Sequence, residues 1–414
     1  MEEWKIYKLG EITSKIGSGA TPKGGRDSYL GGNISLIRSQ NVLDFSFSKS
    51  GLAYINEMQA EKLNNVEVYE KDVLLNITGD SVARVCIVPN NVLPARVNQH
   101  VAIIRGNEKV DYRYLLYYLQ YIKPQLLSLS QGGATRNALT KKMIEELEIK
   151  MPSKGTQKEI VSILYTLDTK IALNRRINDN LEQQAQTLFK SWLVDFDPFK
   201  NGKFVESEMG MIPEGWKVIS LQEYCQEITR GNIPTYVEKS NRPILNQKVN
   251  KGVSLEKQYY KYNSENVEVS ISKMAHYGDV LLNSLGQGTL GRVHLYKEKL
   301  GNVIIDQFIT ILRTNLFVKS AYLSYTLNRP EYQTIIEGNV TGSTGMWVLT
   351  INNVRNIKII VPKESCFLEL APIINSIYQA ISNNTAEMEQ LCTLRDCILP
   401  HLMSGELKIN DLNC

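Results

Sequence analysis

The sequence predicts an α+β protein: two α/β globules in tandem repeat, separated by two long helices that form an antiparallel coiled coil with pseudo-two-fold symmetry. Three observations predict it. The first is internal duplication, which decides architecture before any single motif does. Trp4-Lys5 returns as Trp216-Lys217, and the string from Asp72 to Asn76 returns as Asp279 to Asn283. Arg84-Val85 returns as Arg292-Val293, Gln99 and Arg105 as Gln307 and Arg313, and Leu139-Thr140 as Leu349-Thr350. The matches keep one order and an offset of about 210 residues, as a tandem copy with small loop insertions must.

The second observation is a change of texture inside each copy. Up to about residue 150, short apolar runs such as Val73 to Ile77 and Val101 to Ile104 are punctuated by Gly, Asn, Pro and Ser, the pattern of strands and turns. From Thr156 to about Asp195 that punctuation vanishes. The third observation is the pattern that replaces it. Ile160, Leu164, Leu167, Ile171, Leu181, Ala185, Leu188 and Trp192 fall on a and d positions of a heptad, broken only by Asn174 and Asn178. The second copy repeats the stripe from Leu370 through Ile374 and Ile381 to Ile398 and Leu402, with Asn384 where Asn174 stands. Two such stripes bury each other most simply, and an antiparallel pair brings Asn174 and Asn384 within about one turn. A buried polar pair there fixes register. About forty helical residues span roughly 60 Å, so the pair is expected to act as a ruler between the globules. Between the copies, Asp197-Pro198 to Pro213 reads as an irregular connector, since Pro198 and Gly202 break the helix.

Composition narrows the function. Of 414 residues, 43% are hydrophobic and 22% charged, as in an ordinary globular protein. Forty-seven basic against 43 acidic residues leave a net charge of only +4, so a nucleic-acid role must rest on local patches or on basic partners. No apolar run reaches the roughly 18 residues of a membrane span, and the start has no signal-peptide character. The six cysteines show no paired spacing and read as reduced thiols of a cytoplasmic protein. Four scattered histidines offer no metal site.

The catalytic motifs fail in turn. Gly286-Gln287-Gly288-Thr289-Leu290-Gly291 fits the spacing of a dinucleotide loop, but Arg292 to Tyr296 alternate like a strand where a helix is required, so a hairpin is expected. No phosphate loop is visible. Asp195-Phe196-Asp197-Pro198-Phe199 loosely resembles the Asp-Pro-Pro-Tyr loop of amino-methyltransferases, lacks its second proline, and reads as a helix stop. What remains is polar loop chemistry. Asn, Gln and Arg can bond base edges in pairs, while Ser, Thr and Lys suit phosphates. In the first globule the candidates for DNA contact are Thr21, Lys23, Asn76, Thr78, Arg84, Asn98, Gln99, Thr135 and Arg136. In the second they are Arg230, Asn232, Asn283, Gln287, Arg292, Gln307, Ser343 and Thr344. Surface turns use these residue types for backbone reasons too, and the sequence leaves that alternative open.

The residues at the boundaries carry a resemblance. Leu188-Phe189-Lys190-Ser191-Trp192 through Pro198, Ile212-Pro213-Glu214-Gly215-Trp216, Leu399-Pro400-His401-Leu402-Met403-Ser404-Gly405-Glu406-Leu407 and Gln157-Lys158-Glu159-Ile160 are similar to the conserved strings of the specificity (S) subunits of type I restriction-modification systems. Phe367 departs from the pattern, standing where the first copy has Gln157. The resemblance implies target recognition domains at 1–152 and 214–362, a central conserved helical region at 153–196, a connector at 197–213 and a distal helical region at 363–407. It implies a non-catalytic subunit that reads a bipartite, asymmetric sequence in double-stranded DNA, one half per recognition domain. The implied partners are two modification (methyltransferase) subunits and restriction/translocase subunits. No cofactor is expected on this chain; S-adenosylmethionine, ATP and Mg would be used by the partners. Two other classes stay open on the residues alone: a duplicated scaffold or ligand-binding protein without a DNA role, and a DNA methyltransferase or nuclease with an unrecognised site.

Overall fold

The computed structural model describes residues 4–22, 29, 31–131, 137–298, 303–342 and 347–407. The chain divides into two compact units, one holding the residues up to Ala172 together with those from Glu389 on, the other Leu173 to Met388.

In the first unit the strands are β1 (Lys5–Lys8), β2 (Thr13–Ser18), β3 (Ile34–Ile37), β4 (Ala53–Ile55), β5 (Glu67–Val68), β6 (Val73–Asn76), β7 (Val85–Ile87), β8 (Ala95–Val97), β9 (Val101–Gly106) and β10 (Glu148–Met151). The helices are α1 (Glu57–Glu61), α2 (Tyr112–Tyr121), α3 (Lys123–Ser130), α4 (Lys141–Glu145) and the first part of α5 (Lys154–Leu193). One sheet has the order β2-β9-β6-β7 and a second the order β4-β3-β8-β5, with β3 and β8 parallel. The apolar run from Val73 to Leu75 is continuous because both faces of β6 are covered. Val73 and Leu75 join the core against α2, whereas Leu74 points into the core between the sheets. β9 divides the same way, with Ala102 and Ile104 on one side and Val101 and Ile103 on the other.

The second unit begins with the rest of α5 and repeats this plan. Its strands are β11 (Phe204–Ser207), β12 (Gly210–Pro213), β13 (Lys217–Ser220), β14 (Glu227–Arg230), β15 (Tyr236–Val237), β16 (Pro243–Leu245), β17 (Lys261–Asn263), β18 (Val280–Asn283), β19 (Val293–Leu295), β20 (Ile304–Ile305), β21 (Ile309–Arg313) and β22 (Lys358–Val361). Its helices are α6 (Leu221–Tyr224), α7 (Phe317–Leu327), α8 (Pro330–Gly338), α9 (Ile351–Asn356) and α10 (Glu364–Ser404), which runs on into the first unit. The sheet β14-β21-β18-β19 matches β2-β9-β6-β7 strand for strand. β18 and β19 form the hairpin expected from the glycine-rich string, with Gly286 and Gly288 at positive φ in its turn. The repeated Asp72 and Arg105 form an ion pair at 2.7 Å, and so do Asp279 and Arg313, with the aspartate buried and the arginine partly exposed in each. Each aspartate also accepts a turn N–H, from Tyr69 and His276 respectively, so the buried carboxylate is fully bonded.

The connector is not irregular as expected. β11 and β12 pair as an antiparallel hairpin, and Phe196 and Phe199 each lie 5.3 Å from Trp216. Burial of those rings gives the segment an order that its Pro and Gly content hides. Asp195 to Phe199 does end the helix: Lys190 bonds Asp195, Ser191 bonds Asp197, and Asp197–Phe199 makes one short turn.

The long helices pair antiparallel in both units. In the first, Asp168 meets Arg395 at 2.8 Å. In the second, Asn174 Nδ2 donates to Glu387 at 2.8 Å, Asn384 Nδ2 donates to Asn178 Oδ1 at 2.9 Å, and the Tyr378 hydroxyl donates to Glu182 at 3.0 Å. Asn384 therefore bonds Asn178, one helical turn beyond Asn174, and each asparagine has its own cross-helix partner. The copies differ at the head of each helix. Gln157 is buried and ties the start of α5 to the first globule, donating to the Pro152 and Lys109 carbonyls and accepting from Asp111 N–H, whose side chain caps α2. Phe367 replaces those hydrogen bonds with rings, 5.6 Å from Tyr322 and 6.4 Å from Tyr224.

Candidate nucleic-acid interface

In each globule three loops, two that follow strands and one that follows a helix, are sewn together by one backbone frame. In the first, Ile77 N–H donates to the His100 carbonyl and Leu139 N–H to the Ile77 carbonyl. In the second, Ser284 N–H donates to the Phe308 carbonyl and Leu349 N–H to the Ser284 carbonyl. Asn76 and Asn283 each accept through their main-chain oxygens from Ala83 and Gly291, closing equivalent turns. Asn98 Oδ1 accepts from His100 N–H at 3.0 Å, and Asp306 Oδ1 from Phe308 N–H at 2.9 Å, making the same side-chain-capped turn. The frame is shared; the side chains it displays are not.

Several candidates turn out to hold the frame. Asn76 is 0% exposed, and its Nδ2 donates to the Ser39 and Val42 carbonyls. Asn283 is equally enclosed, donates to the Gln247 and Thr289 carbonyls, and accepts from Asn250. Asn76 Oδ1 alone lacks a partner, and both side chains are enclosed, so in this structure neither reaches the surface where a base would lie. Asn98 is also buried and committed to its turn. Arg230 donates to the Leu349 carbonyl, and burial lowers its pKa. Arg292 bonds the Asn250 and Gly288 carbonyls, and Asn232 bonds the Ile233 carbonyl.

Others lie in the open. Gln99 and Gln287 are exposed, and Thr21, Thr78, Arg84 and Gln307 are half-exposed. Thr21 Oγ donates to Gln99 Oε1, Gln99 lies against His100, and His100 Nδ1 bonds Thr78 Oγ, so three loops contribute to one polar cluster. Lys23, Thr135, Arg136, Ser343 and Thr344 lie outside the described residues. His100 was not among the expected residues; histidines weighed only as metal ligands or bases leave no signal for a turn position. Tyr236 and Asp306 were missed as well. The Tyr236 hydroxyl donates to Asp306 at 2.9 Å, and Lys261 sits 4.4 Å from the Tyr236 ring centre. Burial and the Asp306 carboxylate push the Tyr236 hydroxyl up to about 12. No cluster able to hold a metal ion exists among the described residues, and no helix among them is long and apolar enough to cross a membrane.

Burial raises the pKa of Asp306, even though Phe308 N–H and Tyr236 oppose the shift. Since the folded pKa is raised, the folded state holds this proton more tightly than the unfolded chain. Stability from this group is therefore present at low pH and lost as pH rises through the folded value. Asp306→Asn, which copies Asn98, is expected to match or exceed the native chain at neutral pH by up to about 1 kcal/mol. The gain should shrink as pH falls, and unfolding midpoints at several pH values check it.

The comparisons point the same way, the family model over the first part of the chain and the relatives over nearly all of it. The model of the type I restriction modification DNA specificity domain matches residues 1–183. The chain is 26% identical to the MjaIX specificity subunit of a type I restriction enzyme from Methanocaldococcus jannaschii, an alignment covering 99% of this chain and 95% of that one. It is 22% identical to the HindI specificity subunit from Haemophilus influenzae, covering 98% of this chain and all of the relative. In fold it resembles the S subunit of a type I restriction-modification system from M. genitalium, with a TM-score of 0.52 at 13% identity, over 97% of this chain and 96% of that one. With its duplicated globules, its two long paired helices and these full-length relatives, the chain is similar over nearly its whole length to type I restriction enzyme specificity subunits.

Proposed function

We propose that this chain is the DNA-reading subunit of a type I restriction-modification complex, with each globule reading one part of a bipartite, asymmetric target. The observation that carries the reading is the shared loop frame with unlike side chains. Thr78 and His100 in the first globule stand where Leu285 and Phe308 stand in the second, beside a glutamine, Gln99 or Gln307, that both copies keep. Two readers of one design with different chemistry suit two different half-sequences. A scaffold without a DNA role gives no reason for that difference.

The subunit is non-catalytic. Methyl transfer from S-adenosylmethionine belongs to modification subunits, two per complex, and ATP- and Mg-dependent translocation and cleavage to restriction subunits. Those partners supply phosphate-facing charge that a chain of net charge +4 lacks. Accordingly, the purified chain should neither methylate nor cut DNA. Adding modification subunits and S-adenosylmethionine should produce methylation of a single two-part motif, with binding that weakens steeply as salt rises. Sustained methyl transfer by the contaminant-free chain alone contradicts this function.

A further inference from the structure

We propose that the side-chain amide of Gln99 is a base-reading group of the first globule, matched to an adenine edge, and that His100 is the positioning residue that holds it. The proposal rests on the DNA-reading function above. Thr21 follows β2, Thr78 follows β6, and Gln99 and His100 occupy the turn between β8 and β9, so residues distant in sequence converge here. Their side chains form one run of hydrogen bonds: Thr21 Oγ to Gln99 Oε1, Gln99 Nε2 to His100 Nε2 at 3.1 Å, and His100 Nδ1 to Thr78 Oγ.

A singly protonated imidazole can run this chain in two directions. In one, Nδ1–H donates to Thr78 and Nε2 accepts from the Gln99 amide. In the other, the amide is turned, Nε2–H donates to Gln99 Oε1, and the Thr78 hydroxyl donates to Nδ1. The Thr21 hydroxyl serves either direction, because a hydroxyl both donates and accepts. In both, the amide commits one N–H and one oxygen lone pair inward and keeps one of each free. A free donor beside a free acceptor is the pattern glutamine matches to adenine N7 and N6, whereas guanine offers two acceptors there. The second globule supplies the contrast. Gln307 stands at the repeat-equivalent position, Phe308 replaces His100, and the Gln307 side chain makes no hydrogen bond to a described residue. The glutamine is tied by hydrogen bonds in one copy and, among the described residues, makes none through its side chain in the other. Holding it removes before binding the rotamer freedom that a base contact must otherwise remove.

The test uses the full chain assembled with modification subunits, on duplexes in which each base pair of the methylated motif is changed in turn. Gln99→Ala should reduce discrimination at one A·T pair by about tenfold or more, with the part read by the second globule unaffected. His100→Phe, which copies the second globule, should reduce discrimination at the same pair by a smaller factor. It should have no further effect on discrimination in the Gln99→Ala background. His100→Gln, able to donate and accept, should restore most of it. A Gln99→Ala loss that is equal on every duplex, or that falls at a G·C pair, overturns the proposal. So does a His100→Phe loss that adds to that of Gln99→Ala. An unaltered complex with no sequence preference overturns the DNA-reading function itself.

Discussion

Arg395→Met is expected to destabilise the chain by about 3 kcal/mol, and adding Asp168→Asn should recover part of that loss rather than deepen it. Arg395 is 9% exposed at its side chain, and Asp168 20%. Burial would lower the arginine pKa, but the Asp168 and Asp396 carboxylates, each at 2.8 Å, together outweigh it and raise the value. The Tyr117 hydroxyl also donates to Asp168 at 2.6 Å, and the guanidinium stacks 3.6 Å over Phe45. One site thus joins the first globule, α5 and α10. Removing the cation leaves a poorly solvated carboxylate, which costs more than the pair contributes. Asp168→Asn removes that charge while keeping an acceptor for Tyr117. Urea midpoints of the single and double variants decide it; a double variant less stable than Arg395→Met refutes the account of this site.

The same pair shows where sequence reasoning reaches. The heptad stripe forecasts two long helices because 3.6-residue periodicity is local and repeated. They run Lys154–Leu193 and Glu364–Ser404, inside the expected 153–196 and 363–407. The duplication was equally legible, since both copies keep an arginine that pairs with a buried aspartate, Asp72 with Arg105 and Asp279 with Arg313. The partners of polar residues were not legible. Arg395 and Asp168 lie far apart in sequence, and nothing local joins them. Asn76 and Asn98 have the same composition signal as an exposed reader, yet their amides are bound by carbonyls and N–H groups that only the folded loops bring near. Asn174 and Asn384 were expected within about one turn of each other, and Asn384 does bond Asn178, one turn from Asn174, but the individual partners, Asn178 for Asn384 and Glu387 for Asn174, were not foreseen. A one-turn difference in register lies below what apolar spacing alone resolves.

The largest effect on function should come from exchanging a whole globule. Segment 214–362 runs from just before β13 to just after β22, and these two strands pair with each other from Lys217 with Val361 to Ser220 with Lys358. An exchange there cuts outside a closed pair, not through a sheet. It keeps Phe189 and Phe367, so the donor must supply rings where Tyr224, Tyr322 and Tyr325 pack against them. The frame that holds Thr21, Thr78, Gln99 and His100 is left whole, since every bond in it lies within the first globule. The most direct measurement is therefore the methylated motif of a host expressing the modification subunit with either the native chain or the exchanged one. Independent reading predicts that one part of the motif becomes the donor's and the other part stays unchanged, base for base. A motif in which both parts change, or neither does, contradicts it.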